Sequence, residues 1–160
     1  MKFWVKFLVL IIVFFSFDSY SQNNKDYLNA SLKINGEQHN LSEFQGKFIL
    51  LQFWATWCPY CERQMPELVK IQQRYKDNPN LVILPVSIDE GGEEIVKNFY
   101  KSRNYNIFPV VLDENKNLYR IFNLRGVPTS VLISDSGEII DVFNSVSQID
   151  LALFDKILKN

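Results

Sequence analysis

The chain has 160 residues, 47% of them hydrophobic, and its 17 lysine and arginine residues against 18 aspartate and glutamate residues give a net charge of −1. This length suffices for one domain with a proper hydrophobic core. A near-neutral charge with no basic run argues against nucleic acid and against strong membrane-surface binding, so neither partner is predicted.

The first residues have the features of an export signal. Lys2 and Lys6 precede the apolar stretch 7–17, which ends in small and polar residues around Ser21. A membrane-spanning helix needs roughly 20 apolar residues, so this shorter stretch favours a cleaved signal peptide. We therefore predict a signal peptide at residues 1–21, a domain at residues 22–160 and a periplasmic or otherwise extracytoplasmic location, with an uncleaved N-terminal membrane anchor as the alternative.

The domain is predicted to begin with a small β-hairpin. Residues 31–39 alternate around Asn35-Gly36, a dipeptide favoured in two-residue hairpin turns. A short turn ending at Gly46 follows, and then the apolar run Phe48 to Trp54 predicts a strand buried on both faces, as in parallel sheets.

A helix is predicted from Cys58 onward. Apolar residues recur there at three- and four-residue spacing, namely Cys61, Met65, Leu68, Ile71 and Tyr75. Pro59 suits the first helical turn. The spacing places Cys61 on the buried face and Cys58 off it, toward solvent, at the helix N-terminus.

The second half of the chain continues the alternation of strands and helices. Leu81 to Ile88 reads as a strand, and Pro85 within it suggests an outer position in the sheet because proline removes a ladder donor. The remaining predicted elements are a helix at Glu93 to Arg103, an extended segment at Phe108 to Leu112, a helical segment at Glu114 to Phe122, strands at Thr129 to Ser134 and Glu138 to Phe143, and a helix from Ser147. The first of these helices has Ile95, Val96, Phe99 and Tyr100 on one face. In the last helix, Ser147 and Asp150 approximate a capping box. This order predicts an α/β fold with a central sheet flanked by helices.

Cys58 and Cys61 are the only cysteines, and they lie within the motif Trp57-Cys-Pro-Tyr-Cys61. A disulfide between them would close too small a loop to constrain the unfolded chain, so a purely stabilising role is a poor explanation. A structural zinc site needs two further ligands, whereas the chain has only one histidine, His39. A dithiol/disulfide redox centre with no cofactor and no metal is the leading interpretation.

Three segments together resemble the exported thioredoxin-like proteins of the TlpA/ResA group: Phe53 to Cys61, Phe108 to Asp113 and Arg125-Gly-Val-Pro-Thr129. The resemblance implies a thioredoxin-like fold, with a central mixed sheet, an N-terminal hairpin and an inserted helix around Glu93 to Arg103. It further implies a cis-proline at Pro128 that faces the cysteines, although an X-Pro bond is ordinarily trans.

The chemistry assigns separate roles to the two sulfurs. A helix N-terminus favours the thiolate, so Cys58 is the predicted nucleophile, and Cys61 is predicted to resolve the mixed disulfide. Trp57, Pro59 and Tyr60 are candidate supporting residues around the reactive sulfur. If Pro128 is cis, the backbone of Val127 would be free to pair with an extended substrate peptide.

The resemblance implies a reductant of protein thiols, for example those of apocytochrome c, that takes electrons from a membrane thiol-disulfide donor; we expect a monomer. An oxidant that introduces disulfides and a Cu(I)-binding delivery module are the alternatives. Gln52 stands where thioredoxins have a buried aspartate, and Gln64 where many TlpA-like proteins have a glutamate, so the proton acceptor for Cys61 is open. Glu62 is expected to be a solvated charge, and His39 a surface or packing residue.

Overall fold

A computed structural model describes residues 25–145 and 151–158 of the chain. Its strands are β1 (Ser31–Ile34), β2 (Glu37–Asn40), β3 (Phe48–Trp54), β4 (Leu81–Ser87), β5 (Val111–Leu112), β6 (Thr129–Ile133) and β7 (Ile139–Phe143). Its α-helices are α1 (Pro59–Tyr75), α2 (Glu93–Arg103), α3 (Asn117–Ile121) and α4 (Leu151–Ile157). The predicted signal peptide and the predicted cap at Ser147 and Asp150 lie outside the described residues.

The seven strands form one mixed sheet in the order β2-β1-β5-β4-β3-β6-β7. Strand β3 pairs in parallel with β4 and antiparallel with β6, so it lies near the centre, and six of its seven residues are buried. The expected burial of Phe48 to Trp54 on both faces is thus confirmed for all but Phe48. The predicted α/β arrangement with an N-terminal hairpin and a helix between β4 and β5 is also confirmed.

The hairpin turn forms where the sequence predicts it. Asn35 and Gly36 have φ angles of 51° and 90°, the left-handed values that a two-residue hairpin turn requires. Strand β1 then pairs with β5 as well as with β2, so the hairpin extends the main sheet. The Asn35 side chain strengthens this attachment because it accepts a hydrogen bond from the Val110 N–H at 3.0 Å.

The predicted outer position of the strand that contains Pro85 is wrong, because β4 lies between β3 and β5. The physical reason is the shortness of β5. Strand β5 pairs only with Val86 and Ser87, so the side of β4 that faces β5 is unpaired at Pro85. The missing N–H of Pro85 therefore costs no ladder hydrogen bond on that side.

Helix α1 buries the five residues that the spacing predicts: Cys61, Met65, Leu68, Ile71 and Tyr75. Helix α2 has its predicted bounds and buries Val96 and Tyr100, but Ile95 is exposed, so its predicted face is one residue too wide. Helix α3 is shorter than predicted. Asp113 accepts hydrogen bonds from the backbone N–H groups of Asn117, Leu118 and Tyr119, which fixes the start of the helix at Asn117.

Candidate active site

The two cysteines form a disulfide at the N-terminus of α1. Cys58 is the N-cap residue and Pro59 is the first helical residue, as the sequence predicts. The Cys61 N–H donates to Cys58 Sγ at 3.1 Å, and the Glu62 N–H donates to the Cys58 carbonyl oxygen at 3.1 Å. The Cys58 sulfur therefore accepts a hydrogen bond from one of the helix-terminal N–H groups that have no partner within the helix.

The predicted solvent exposure of Cys58 needs correction. Cys58 is only 5% exposed and Cys61 is 2% exposed, whereas the flanking Trp57 and Tyr60 are 64% and 68% exposed. Helical periodicity is a poor guide for Cys58 because an N-cap residue has extended backbone geometry. Its neighbour is instead the Val127 carbonyl oxygen, 3.6 Å from its sulfur.

The segment that precedes β6 lies against the disulfide. Its Val127–Pro128 peptide bond is cis. Thr129 Oγ1 donates to the Gly126 carbonyl oxygen at 2.8 Å and so closes this loop at the start of β6. Because β6 pairs with β3, which leads into the cysteine loop, the sheet brings two motifs about 70 residues apart in the sequence into contact.

A groove of about 540 Å³ runs along the Val127–Pro128 loop. It is lined by Phe122, Asn123, Leu124, Arg125, Gly126, Val127, Pro128, Thr129, Val142 and Asn144. Most of the lining is apolar or uncharged, and Arg125 is the charged residue of the groove. The groove and the exposed side chains of Trp57 and Tyr60 form a partly apolar surface around the disulfide.

Behind Cys61 lies a narrow crevice with uncharged walls. It is lined by Gln52, Trp54, Cys61, Gln64, Met65 and Leu68. The buried Gln52 accepts a hydrogen bond from Ser130 Oγ, and Gln64 donates to Ser145 Oγ at 3.0 Å. Apart from Cys61, which is part of the disulfide, these lining residues have side chains that neither release nor take up a proton near neutral pH.

A tyrosine on α2 lies close to this crevice without supplying a base. Tyr100 stacks on Trp54 with ring centroids 5.5 Å apart and an interplanar angle of 13°. Burial raises the pKa of Tyr100 well above its ordinary value of 10.0. The hydroxyl therefore stays protonated at neutral pH.

The first turn of α1 carries two charged residues with defined partners. Arg103 Nε donates to Glu62 Oε1 at 2.6 Å. Glu62 remains partly exposed, as expected for a solvated charge, and it also has an ion-pair partner because α2 places its last turn beside α1. Arg63 lies over the Tyr60 ring, 4.3 Å from the centroid.

A buried carboxylate that the sequence analysis missed fixes the loop before Cys58. Asp89 accepts hydrogen bonds from the Thr56 N–H at 2.9 Å, from Thr56 Oγ1 at 2.7 Å and from Ser87 Oγ at 2.7 Å. Strands β3 and β4 are parallel and end side by side at Trp54 and Ser87. Thr56 and Asp89 each lie two residues beyond the end of their strand and are therefore neighbours. An acidic residue just after a parallel strand is the signal that could have identified it.

His39 is a surface residue, in agreement with the prediction, and its Nδ1 lies 2.8 Å from Glu43 Oε2. Within residues 25–145 and 151–158, no group of three or more histidine, cysteine, aspartate or glutamate side chains is arranged to hold a metal ion. In the same ranges, none of the helices has the length and apolar character needed to cross a bilayer.

A mixed sheet flanked by helices, with a Cys-X-X-Cys disulfide at a helix N-terminus, defines a thiol-disulfide oxidoreductase with a thioredoxin-like fold. The profile of the Redoxin family matches residues 22–158, so the chain belongs to this family. The resemblance to the TlpA/ResA group is confirmed by individual relatives. The thiol-disulfide oxidoreductase ResA of Halalkalibacterium halodurans is 31% identical over 88% of this chain and 85% of its own length.

Solved structures agree with the fold. The solution structure of a protein proposed to be a disulfide isomerase, from Bacteroides thetaiotaomicron, is 27% identical with a TM-score of 0.71, over 82% of this chain and 86% of that one. The exposed lipoprotein thioredoxin Etrx1 of Streptococcus pneumoniae is also 27% identical, with a TM-score of 0.65 over 81% of this chain and 97% of that one.

Proposed function

We propose that the chain is an exported, monomeric thiol-disulfide oxidoreductase that reduces disulfides in protein substrates, with Cys58 as nucleophile and Cys61 as resolving cysteine. The observation that carries this proposal is the position of Cys58. It is the N-cap of α1, its sulfur accepts the Cys61 N–H, and it faces the loop at Val127. The helix N-terminus and the Cys61 N–H favour a thiolate at Cys58 rather than at Cys61.

The reaction begins from the dithiol form. The Cys58 thiolate attacks one sulfur of the substrate disulfide, forms a mixed disulfide and releases the other substrate sulfur as a thiolate. Cys61 then attacks Cys58 Sγ, which forms the Cys58–Cys61 disulfide and releases the second substrate sulfur, and the Cys61 proton leaves with that sulfur. Two electrons pass from the dithiol to the substrate, and the product is the disulfide form that the structure contains.

We propose that the substrate docks on the surfaces around the sulfur. The exposed rings of Trp57 and Tyr60 and the groove beside Pro128 offer apolar contact area to an extended segment. Pro59 holds the first turn of α1, so Tyr60 is presented at the rim. Backbone pairing at Val127 would place a substrate sulfur next to Cys58, since the Val127 carbonyl oxygen is already 3.6 Å from it.

The proposed location is the periplasm or another extracytoplasmic space. The features of residues 1–21 support it, and so does the description of one structural relative as an exposed lipoprotein. A reductant there needs electrons from a membrane thiol-disulfide donor, and the thiols of apocytochrome c are a substrate class in keeping with the TlpA/ResA resemblance. We propose that residues 22–160 form the exported domain after cleavage.

The test of the cysteine roles is mixed-disulfide trapping. Cys61→Ala should accumulate mixed disulfides with partner proteins in cells, because the resolving thiol is gone, whereas Cys58→Ala should trap almost none. Trapped species on non-reducing gels, identified by mass spectrometry, would name the substrates. Equal trapping by both variants would contradict the assignment.

The direction is tested by the redox state and the reduction potential. A reductant should be found largely as the dithiol in cells, and its potential should lie toward the thioredoxin end of the range, about −270 mV. A potential near −120 mV, together with a fully oxidised pair in cells that contain the membrane donor, would establish an oxidant instead.

A further inference from the structure

A charged pair lies one helical turn from the reactive sulfur. The Glu62 N–H bonds to the Cys58 carbonyl oxygen, so Glu62 follows the N-cap by a full turn. Side chains on a helix tilt toward its N-terminus, and residues four apart share a face. The Glu62 carboxylate is therefore directed toward the end of α1 that carries Cys58.

The partner of this carboxylate comes from α2 and is held in place. Besides its 2.6 Å bond to Glu62, the Arg103 guanidinium donates to Ser102 Oγ at 3.3 Å and lies 5.6 Å from the centroid of the Phe99 ring. Helix α2 is itself anchored on the core because Phe99 packs on Trp54 with centroids 5.1 Å apart. The inserted helix thus delivers a fixed positive charge to the first turn of α1.

We propose that Glu62 and Arg103 act as opposed electrostatic regulators of the Cys58 thiolate, so that α2 tunes the redox centre through Arg103. This inference rests on the proposed role of Cys58 as nucleophile. The carboxylate repels a thiolate at the same helix end, and the guanidinium offsets that repulsion. Two further cations of the described residues lie near the site, namely Arg63 over the Tyr60 ring and Arg125 in the groove.

The two charges predict shifts of opposite sign. Arg103→Gln leaves the Glu62 charge unneutralised, so the Cys58 thiolate is disfavoured and the reduction potential falls. Glu62→Gln removes the repulsion, so the thiolate is favoured and the potential rises. We expect each charge to interact with the Cys58 thiolate as strongly as partly exposed charges generally do, which is about twofold to fivefold in an equilibrium constant. For a two-electron couple, that change is about 9 to 21 mV.

The experiment compares the rate of Cys58 alkylation by iodoacetamide, across pH, with the reduction potential measured against glutathione. Arg103→Gln and Glu62→Gln should shift both readouts in opposite directions, and Arg103→Lys should restore wild-type values because it retains the charge. Added salt should reduce the shifts, since both side chains are partly exposed. The matched control is the Lys70–Glu67 pair, which lies on the same helix, farther from Cys58. Lys70→Gln and Glu67→Gln should leave both readouts unchanged.

Shifts of the same sign in Arg103→Gln and Glu62→Gln, or an altered thermal midpoint with no change in potential, would reduce the pair to a structural contact and overturn the inference. The potential is measured without any substrate, so this result is separate from the trapping experiment. Loss of trapping by Cys61→Ala would refute the proposed function even if the potential shifts as expected.

Discussion

The hydrogen bonds of Asp89 allow a prediction that links the stability of the fold to the position of the loop before Cys58. Asp89 is 3% exposed, and its carboxylate accepts three hydrogen bonds, two from Thr56 and one from Ser87. Thr56 lies two residues before Cys58, in the turn between β3 and α1. Asp89→Ala removes the acceptor and leaves the Thr56 N–H without its partner.

The size of the effect follows from these bonds. Leaving a buried donor without its acceptor costs about 1–3 kcal/mol, so we expect Asp89→Ala to lower the free energy of unfolding by at least that amount. Asp89→Asn retains an oxygen for the Thr56 N–H and Ser87 Oγ, and its amide can donate to Thr56 Oγ1. Only the charge assistance is lost, which predicts a cost of about 1–2 kcal/mol. Thr56→Val removes one charged bond, for a loss of about 1.5–3 kcal/mol.

The assay is urea unfolding of the oxidised protein at neutral pH, paired with the rate at which the reduced protein exchanges with a small disulfide. Asp89→Asn should react at nearly the wild-type rate because the loop keeps its bonds. Asp89→Ala should react about tenfold more slowly or worse, because a shift of the loop would misalign Cys58, the proposed nucleophile. The reasoning is refuted if Asp89→Ala unfolds within about 0.5 kcal/mol of wild type, or if Asp89→Asn loses as much activity as Asp89→Ala.

Two further predictions use pH. Gln52→Asp places a carboxyl beside the buried Ser130, and burial should raise the pKa of this carboxyl. The free energy of unfolding should therefore fall by about 2–4 kcal/mol between pH 5 and pH 8. A free energy of unfolding that does not change with pH, measured with urea, would contradict this. Burial raises the pKa of Asp113 above its ordinary value of 3.8, against the opposing backbone N–H groups. The folded state therefore binds the Asp113 proton more tightly than the unfolded state does. The stability of wild type relative to Asp113→Asn should decline as pH rises through 3.8 toward the raised pKa. A stability of wild type relative to Asp113→Asn that increases with pH would show the predicted sign to be wrong.

Local sequence patterns were sufficient to predict features that depend on a single helix, turn or motif. The five apolar residues of α1 recur at helical spacing, and all five are buried. Asn35-Gly36 adopts the left-handed backbone that only a few residues tolerate, so the hairpin could be read directly. The disulfide at the start of α1 was predictable for the same reason, since Cys58 and Cys61 lie within one motif.

Features that depend on distant parts of the chain could not be read in this way. Pro85 predicts an edge strand from local sequence, but the length of β5 determines whether the missing N–H of Pro85 costs a ladder hydrogen bond. Arg103 and Glu62 are 41 residues apart, and nothing in either local sequence indicates the pair. The burial of Cys58 likewise depends on the loop at Val127, which the chain reaches only after five further elements.

The uncharged crevice behind Cys61 constrains how the proposed cycle disposes of its protons. When Cys61 attacks the mixed disulfide, its proton must go elsewhere, yet Gln52 and Gln64 line the crevice and the pKa of Tyr100 is raised. The substrate sulfur that leaves in the same step is a thiolate with an ordinary pKa of about 8.5, so it is the chemically matched acceptor. We therefore expect the Cys61 proton to depart with the reduced substrate, which makes release of the product and deprotonation of Cys61 a single coupled event.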